Sequence, residues 1–147
     1  QPTETQIPER TPAKYSQTRH LNPIETTAYL AQTPDAVFLD VRSTIEYYFV
    51  GHPVGAIHVA WNDGEDWDIN PHFVGEVSRL VDGDHARPVV LICRSGHRSV
   101  EAGNALEAAG FNDVVNVLHG FEGERDEQMH RNTLSGWRVD GLPWEQS

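Results

Sequence analysis

The chain reads VVLICRSGHRS over residues 89–99, and this run predicts a buried strand that passes into a helix. Four apolar residues, Val89–Ile92, have the character of a strand buried on both faces. Cys93, the only cysteine in the 147 residues, ends that strand. From Ala102 to Ala109 apolar residues recur at helical spacing. The cysteine is therefore predicted at the junction between a central strand and the loop before a helix.

The loop after Cys93 has the composition of an anion-binding site. Backbone amides that precede a helix can turn toward an anion, and arginines add positive charge. Such surroundings favour the thiolate, which is the nucleophile. A lone cysteine can also be a small, inert core residue, but that role does not explain two arginines and a glycine within five residues. We predict that Cys93 is the catalytic nucleophile, and that the substrate-binding residues are Arg94, Ser95, Gly96, His97, Arg98 and Ser99.

Predicted strands and helices alternate along most of the chain. Strands are expected at residues 36–41, 56–60, 89–92 and 114–118, and helices at about 22–31, 43–48, 70–81 and 100–109. The alternation predicts an α/β fold, with a central parallel sheet of about four to five strands and helices on both faces. Ligands bind at the carboxyl ends of such strands. Asp40 and Arg42, at the end of one strand, are therefore expected to support the site at Cys93.

Composition limits the classes of function. A net charge of −11 argues against a nucleic-acid or anionic-membrane partner, and no apolar run is long enough to cross a membrane. One cysteine leaves no intrachain disulfide. The eight histidines show no paired ligand spacing, so neither a metal nor another cofactor is expected.

The amino end differs in composition from the rest. Residues 1–19 are polar and rich in Pro, Thr and Gln, and we expect them to be disordered or extended, with a single domain over residues 20–147. The sequence starts at Gln1, which suits an exported, periplasmic protein after removal of a signal peptide; a cytoplasmic protein is the alternative.

Several segments together resemble the rhodanese (sulfurtransferase) family. Cys-Arg-Ser-Gly-His-Arg at 93–98 is similar to the family's active-site loop, FLDVR at 38–42 to its Asp-x-Arg strand end, and GHPVGAIH at 51–58 to its Gly-His-x-x-Gly-Ala segment. Gly110-Phe111 before the last strand and Gly141-Leu142-Pro143 near the end also fit. They occur in the family's order across about residues 20–145, so the resemblance covers most of the chain.

This resemblance implies a double displacement. Cys93 would take a sulfane sulfur from thiosulfate or a persulfide donor, carry it as a persulfide, and pass it to cyanide or a thiol. The implied partners are a small anionic sulfur donor and a thiol protein such as a thioredoxin-like acceptor. Arg94 and Arg98 would orient the donor's sulfonate.

Two alternatives remain open. One is a phosphatase or arsenate reductase on the same scaffold, and the other is a non-enzymatic sulfur carrier or interaction module. The related phosphatases and arsenate reductases have seven residues from cysteine to arginine, whereas Cys93 to Arg98 counts six. A shorter loop forms a smaller amide cradle, which favours one sulfur atom over a tetrahedral phosphate.

The residues around this loop have more than one predicted role. Asp40 is expected to bond loop amides or Arg98, and Arg42 either to reach the site or to pair with Glu46 on the surface. Glu46 has the spacing of a capping box with Ser43, so it is interpreted as a capping residue. Ser99 is interpreted as a helix cap whose hydroxyl can also contact the sulfur.

The carboxyl-terminal part departs from a minimal rhodanese module. His119 stands where the family often has the first of two glycines. Residues 122–137 either cover the pocket, bind a partner or form a solvated loop. Trp137 and Trp144 are expected to fasten the tail to the domain.

Overall fold

The computed structural model describes residues 18–146. Nearly all of the predicted amino-terminal segment 1–19 lies outside the described residues, so its disorder and the exported location remain predictions. The strands in chain order are β1 (Arg19–Leu21), β2 (Val37–Asp40), β3 (His52–Pro53), β4 (Ile57–His58), β5 (Asn62–Asp63), β6 (Asp68–Ile69), β7 (Val89–Ile92), β8 (Val114–Val117) and β9 (Trp144–Glu145). The helices are α1 (Pro23–Gln32), a π-helical turn (Glu46–Val50), α2 (Phe73–Leu80) and α3 (Arg98–Ala108).

A five-stranded parallel sheet forms the centre, in the order β1-β8-β7-β2-β4. The predicted parallel α/β architecture is confirmed, and β7 is the middle strand as expected. β1 was not predicted. Its three residues, Arg19–Leu21, include only one apolar side chain, so the strand is defined by pairing with β8 and not by a local pattern.

The strand β7 divides its side chains between two cores. Val89 and Leu91 join one cluster, and Val90 and Ile92 join the other. Successive side chains of a strand point to opposite faces, so a strand covered on both sides is apolar throughout. Residues from α2 and α3 complete the first cluster, and Tyr29 and Leu30 of α1 pack on the second. Helices therefore cover both faces of the sheet, as predicted.

Local capping explains where the helices begin. The Asn22 side chain accepts from the Glu25 amide at 2.7 Å while Glu25 accepts from the Asn22 amide at 2.9 Å, which starts α1 at Pro23. The helix predicted from residue 70 begins only at Phe73, because the Asn70 side chain accepts from the amide of His72 and holds a turn there.

The carboxyl-terminal tail is fastened to the domain, as predicted. Its strand β9 pairs antiparallel with β3. The buried Trp137 ring donates its Nε1 hydrogen to the carbonyl of Pro143 at 2.8 Å. Within the described residues, no helix has the length and apolar character needed to traverse a bilayer.

Candidate active site

Cys93 lies at the carboxyl end of β7, one loop before α3, and the residue is only 1% exposed. The Gly96 amide donates a hydrogen bond to Cys93 Sγ at 3.1 Å. Gly96 adopts φ +102°, and a Cβ there would lie 3.3 Å from the amide nitrogen of His119. Glycine is thus required for the turn that points this amide at the sulfur. The loop therefore directs one N–H group at the predicted nucleophile.

Ser99 contacts the sulfur and does not cap the helix. The helix α3 begins at Arg98 with His97 in the cap position, which places Ser99 inside the first turn. Its buried hydroxyl lies 3.2 Å from Cys93 Sγ and donates to Asn116 Oδ1. Of the two roles predicted for Ser99, the capping role is wrong. The contact with sulfur is present because the first turn passes directly over the end of β7.

Arg98 is held by Glu46. Its Nη1 and Nη2 atoms donate to the two Glu46 carboxylate oxygens, each at 2.8 Å, and its guanidinium lies 5.3 Å from the Trp67 ring centre. Burial by itself lowers the pKa of Arg98, but the Glu46 hydrogen bonds and charge outweigh burial and raise it. Burial likewise raises the pKa of Glu46, and the opposing contacts from Arg98 and Ser43 bring it to about 2. Both groups are therefore charged and locked together.

Glu46 thus has two functions, of which only one was predicted. It accepts from the Ser43 amide at 3.1 Å, and its own amide donates to the Ser43 hydroxyl oxygen at 3.3 Å, which confirms the capping box. The pairing with Arg98 was missed, although a carboxylate has acceptor positions to spare after capping. The proposed surface pair between Arg42 and Glu46 is wrong, because Glu46 faces the active-site loop.

Asp40 and Arg42 form a fully buried ion pair beneath the site. Arg42 Nε donates to Asp40 Oδ1 at 2.9 Å, and Nη2 to Oδ2 at 2.6 Å. The predicted contact of Asp40 with loop amides or Arg98 is replaced by this pair, because a buried arginine needs a neighbouring countercharge. The Arg42 guanidinium lies 4.5 Å from the Phe121 ring centre, and the Phe121 amide donates to the Cys93 carbonyl at 2.8 Å. The pair therefore packs against the residue whose amide bonds to Cys93, and its predicted supporting role stays a prediction.

The segment 122–137 begins against the active-site loop. The amides of Glu122 and Gly123 donate to the Arg94 carbonyl at 2.9 and 3.2 Å. Arg131 in turn donates to the Gly123 carbonyl at 2.7 Å. Burial lowers the pKa of Arg131, and the positive charges of Arg94 and Arg125 lower it further. The carboxylates of Glu122 and Glu124 oppose this effect on the pKa of Arg131. We call Arg94, Arg125 and Arg131 the basic cluster; its Arg94 directly follows Cys93.

The remaining loop residues are at least partly exposed. His97 is exposed, with Nε2 3.6 Å from a carboxylate oxygen of Glu124. Ser95 is half-buried, and Arg94 is exposed. The structure thus brings Cys93, the Gly96 amide and Ser99 into direct contact, and it places the other loop side chains around them.

Residues after β8 complete the wall of the site. A Cβ on Gly120 would lie 2.3 Å from the Cys93 carbonyl oxygen, so this position requires glycine. His119, at the position where a family glycine was expected, adopts φ +68°. It therefore occupies a left-handed conformation that glycine adopts at lower cost.

Asn116 was missed by the sequence analysis. It is 1% exposed in the middle of β8, where its side chain joins Ser99 and His20. The available signal was a polar residue inside an otherwise apolar strand, VVNV. Buried amides of this kind require hydrogen-bond partners.

Comparison with known proteins identifies the family. The rhodanese-like domain family matches residues 24–126. This chain belongs to the rhodanese-like family. It is 34% identical over 108 residues to thiosulfate sulfurtransferase 16, chloroplastic, of Arabidopsis thaliana, a match covering 72% of this chain and 77% of the relative. It is 31% identical over 116 residues to the thiosulfate sulfurtransferase GlpE of Actinobacillus succinogenes, a match covering 79% of this chain and 81% of the relative.

A solved structure shares the fold of this chain. The crystal structure of Rv0390 from M. tuberculosis superposes with a TM-score of 0.78 at 35% identity, covering 90% of this chain and 100% of that chain. The predicted family and the predicted fold are both confirmed. Cys93 and the loop described above lie inside the part of the chain that the rhodanese-like domain covers.

Proposed function

We propose that this protein is a sulfurtransferase that moves a sulfane sulfur from thiosulfate or a persulfide donor to a thiophilic acceptor through Cys93. The observation that carries the proposal is the position of Cys93 Sγ, 3.1 Å from the Gly96 amide at the end of the central strand. Membership of the rhodanese-like family supports the same chemistry.

The reaction has two displacement steps. The Cys93 thiol first loses its proton to solvent, and the thiolate attacks the outer sulfur of thiosulfate. The S–S bond of the donor breaks, sulfite leaves with the bonding electron pair, and Cys93 holds a persulfide. Cyanide or a thiolate then attacks the terminal sulfur, which regenerates the Cys93 thiolate and releases thiocyanate or a new persulfide. The Gly96 amide is positioned to stabilise negative charge on sulfur.

Charge around the site supports an anionic donor. The whole chain carries a net charge of −11, which repels anions. The basic cluster places three positive charges in and near the loop, with Glu122 and Glu124 among them. Arg98 is already neutralised by Glu46, so the cluster is the better candidate for donor capture.

The acceptor thiol must come from another molecule, because the chain contains one cysteine. We propose a small thiol or a thioredoxin-like protein as that acceptor. The six-residue spacing from Cys93 to Arg98 supports sulfur transfer over phosphatase or arsenate reductase chemistry.

Mass spectrometry of the intact protein tests this function. After treatment with thiosulfate, we expect the wild type to gain one sulfur atom on Cys93 and to release it as thiocyanate when cyanide is added. The Cys93→Ser variant should do neither. Sulfur loading without catalytic thiocyanate formation would indicate a carrier. Turnover of an aryl phosphate or arsenate without a persulfide would overturn the proposal.

A further inference from the structure

A line of hydrogen bonds connects the nucleophile to the protein surface. Cys93 Sγ lies 3.2 Å from Ser99 Oγ, and the Ser99 hydroxyl donates to Asn116 Oδ1. On the other side of the amide, Asn116 Nδ2 lies 3.1 Å from Nδ1 of His20, an exposed residue on β1. Ser99 and Asn116 are buried, with 0% and 1% exposure. The site thus has a polar connection that the displacement chemistry does not use.

The available hydrogen atoms decide which group donates and which accepts in each of these hydrogen bonds. A serine hydroxyl has one hydrogen, and here Asn116 Oδ1 accepts it. In its contact with Cys93, the Ser99 oxygen can then only accept a hydrogen bond. In this arrangement Cys93 is therefore the donor, through its thiol S–H. The Asn116 amide has this orientation because its Nδ2 hydrogen is accepted by His20 Nδ1. The arrangement suits the protonated thiol and opposes the anion.

We propose that Asn116 is a positioning residue that sets the direction of the Ser99 hydroxyl and thereby controls the reactivity of Cys93. For the sulfur to be an anion, the Ser99 hydrogen must turn toward it. The Asn116 amide then rotates by half a turn, so that Nδ2 donates to Ser99 Oγ and Oδ1 faces His20. In that state His20 is in its other tautomer: Nδ1 gains a hydrogen from solvent and Nε2 releases one, which the exposed ring permits. The thiol proton of Cys93 leaves separately, to solvent. No proton crosses the amide, because only the directions of the hydrogen bonds reverse.

This inference rests on the proposed function only in taking Cys93 as the nucleophile. Its test is therefore the rate of Cys93 alkylation by iodoacetamide at one fixed pH, which needs no sulfur donor. If alkylation responds as expected but thiosulfate loads no sulfur, the positioning role stands and sulfur transfer fails. If sulfur loads but alkylation is unaffected, the positioning role fails.

Two substitutions at Asn116 should act in opposite directions. Asn116→Asp has nearly the same shape and, as a carboxylate, presents only acceptors and a negative charge. The Ser99 hydrogen then stays turned from the sulfur, and alkylation should slow by about tenfold. Asn116→Leu removes the competing acceptor, so the hydroxyl turns to the sulfur and alkylation should accelerate by about two- to fivefold. Damage to the fold would not give opposite signs. The same two changes at exposed Asn104 on α3 are the matched controls.

A second pair of variants keeps the test decisive if a buried substitution prevents folding. His20→Ala, at the surface, releases the amide and should accelerate alkylation about twofold, whereas His72→Ala should not. In a Ser99→Ala background, the difference between Asn116→Asp and Asn116→Leu should shrink to less than about twofold. Slower alkylation in both Asn116 variants, or an undiminished difference without the Ser99 hydroxyl, would overturn the proposal.

Discussion

Glu46 and Arg98 face each other as a two-point ion pair, with both nitrogen–oxygen distances at 2.8 Å. The two residues are 52 positions apart, and the pair links the active-site loop directly to the turn that follows β2. Their side chains are only 13% and 17% exposed, so solvent screens the pair weakly. The loop arginine is consequently a fixed structural element as well as a charge near the sulfur.

Replacing Glu46 by Gln should destabilise the protein in a pH-dependent way. Because the folded pKa of Glu46 is about 2 against an ordinary value of 4.5, its contribution is present above about pH 4.5 and is lost as the pH falls toward 2. Near neutral pH we expect Glu46→Gln to lower the free energy of unfolding by about 2 kcal/mol.

Urea denaturation at several pH values measures this contribution. The difference between wild type and Glu46→Gln should narrow on acidification, whereas exposed Glu65→Gln should differ little from wild type throughout. If the difference in unfolding free energy between wild type and Glu46→Gln stayed constant down to pH 2, the charge of Glu46 would not be what stabilises the protein.

Gly120→Ala should disrupt the active-site loop. The added Cβ would lie 2.3 Å from the Cys93 carbonyl oxygen, and Gly120 also has φ +62°. We expect a loss of at least about 2 kcal/mol in thermal or urea unfolding and a loss of sulfur loading. Gly75→Ala is the control, since a Cβ at this position in α2 would meet nothing within 4 Å, and it should leave stability unchanged or raised.

His119→Gly should stabilise the protein. His119 has φ +68°, where a non-glycine residue incurs a steric cost. We expect the free energy of unfolding to rise by about 0.5–1 kcal/mol, once the greater entropy of glycine in the unfolded chain is subtracted. His72→Gly, at φ −102°, should instead lower stability. The comparison needs only melting curves, and a stability loss in both variants would mean that the His119 side chain makes a compensating contact.

Arg94→Gln should weaken capture of an anionic donor. Arg94 belongs to the basic cluster, so its removal is expected to raise KM for thiosulfate by about three- to tenfold with a smaller change in kcat. The salt dependence of kcat/KM should also decrease. Arg79→Gln removes the same charge from an exposed position on α2 and serves as the control. Equal effects of the two variants would indicate a response to net charge alone.

The predicted β7, loop and α3 were recoverable from residues 89–109 because their signals are local. A continuous apolar run over a strand, glycine in the loop and 3.6-residue spacing over a helix are all encoded within one segment. The strand end and the position of Cys93 follow from the same signals. The short β1 has no such pattern, and only its pairing with β8 defines it.

The amino-acid sequence determined the parallel architecture and the family resemblance, and it led to the prediction that Cys93 is the nucleophile. The tertiary structure decided the partners: Glu46 for Arg98, Asp40 for Arg42, and Asn116 for Ser99. A charged or polar side chain in an apolar setting indicates that it needs a partner, but not which one. That choice depends on which strand ends the sheet order brings side by side, and on which groups remain buried there without water.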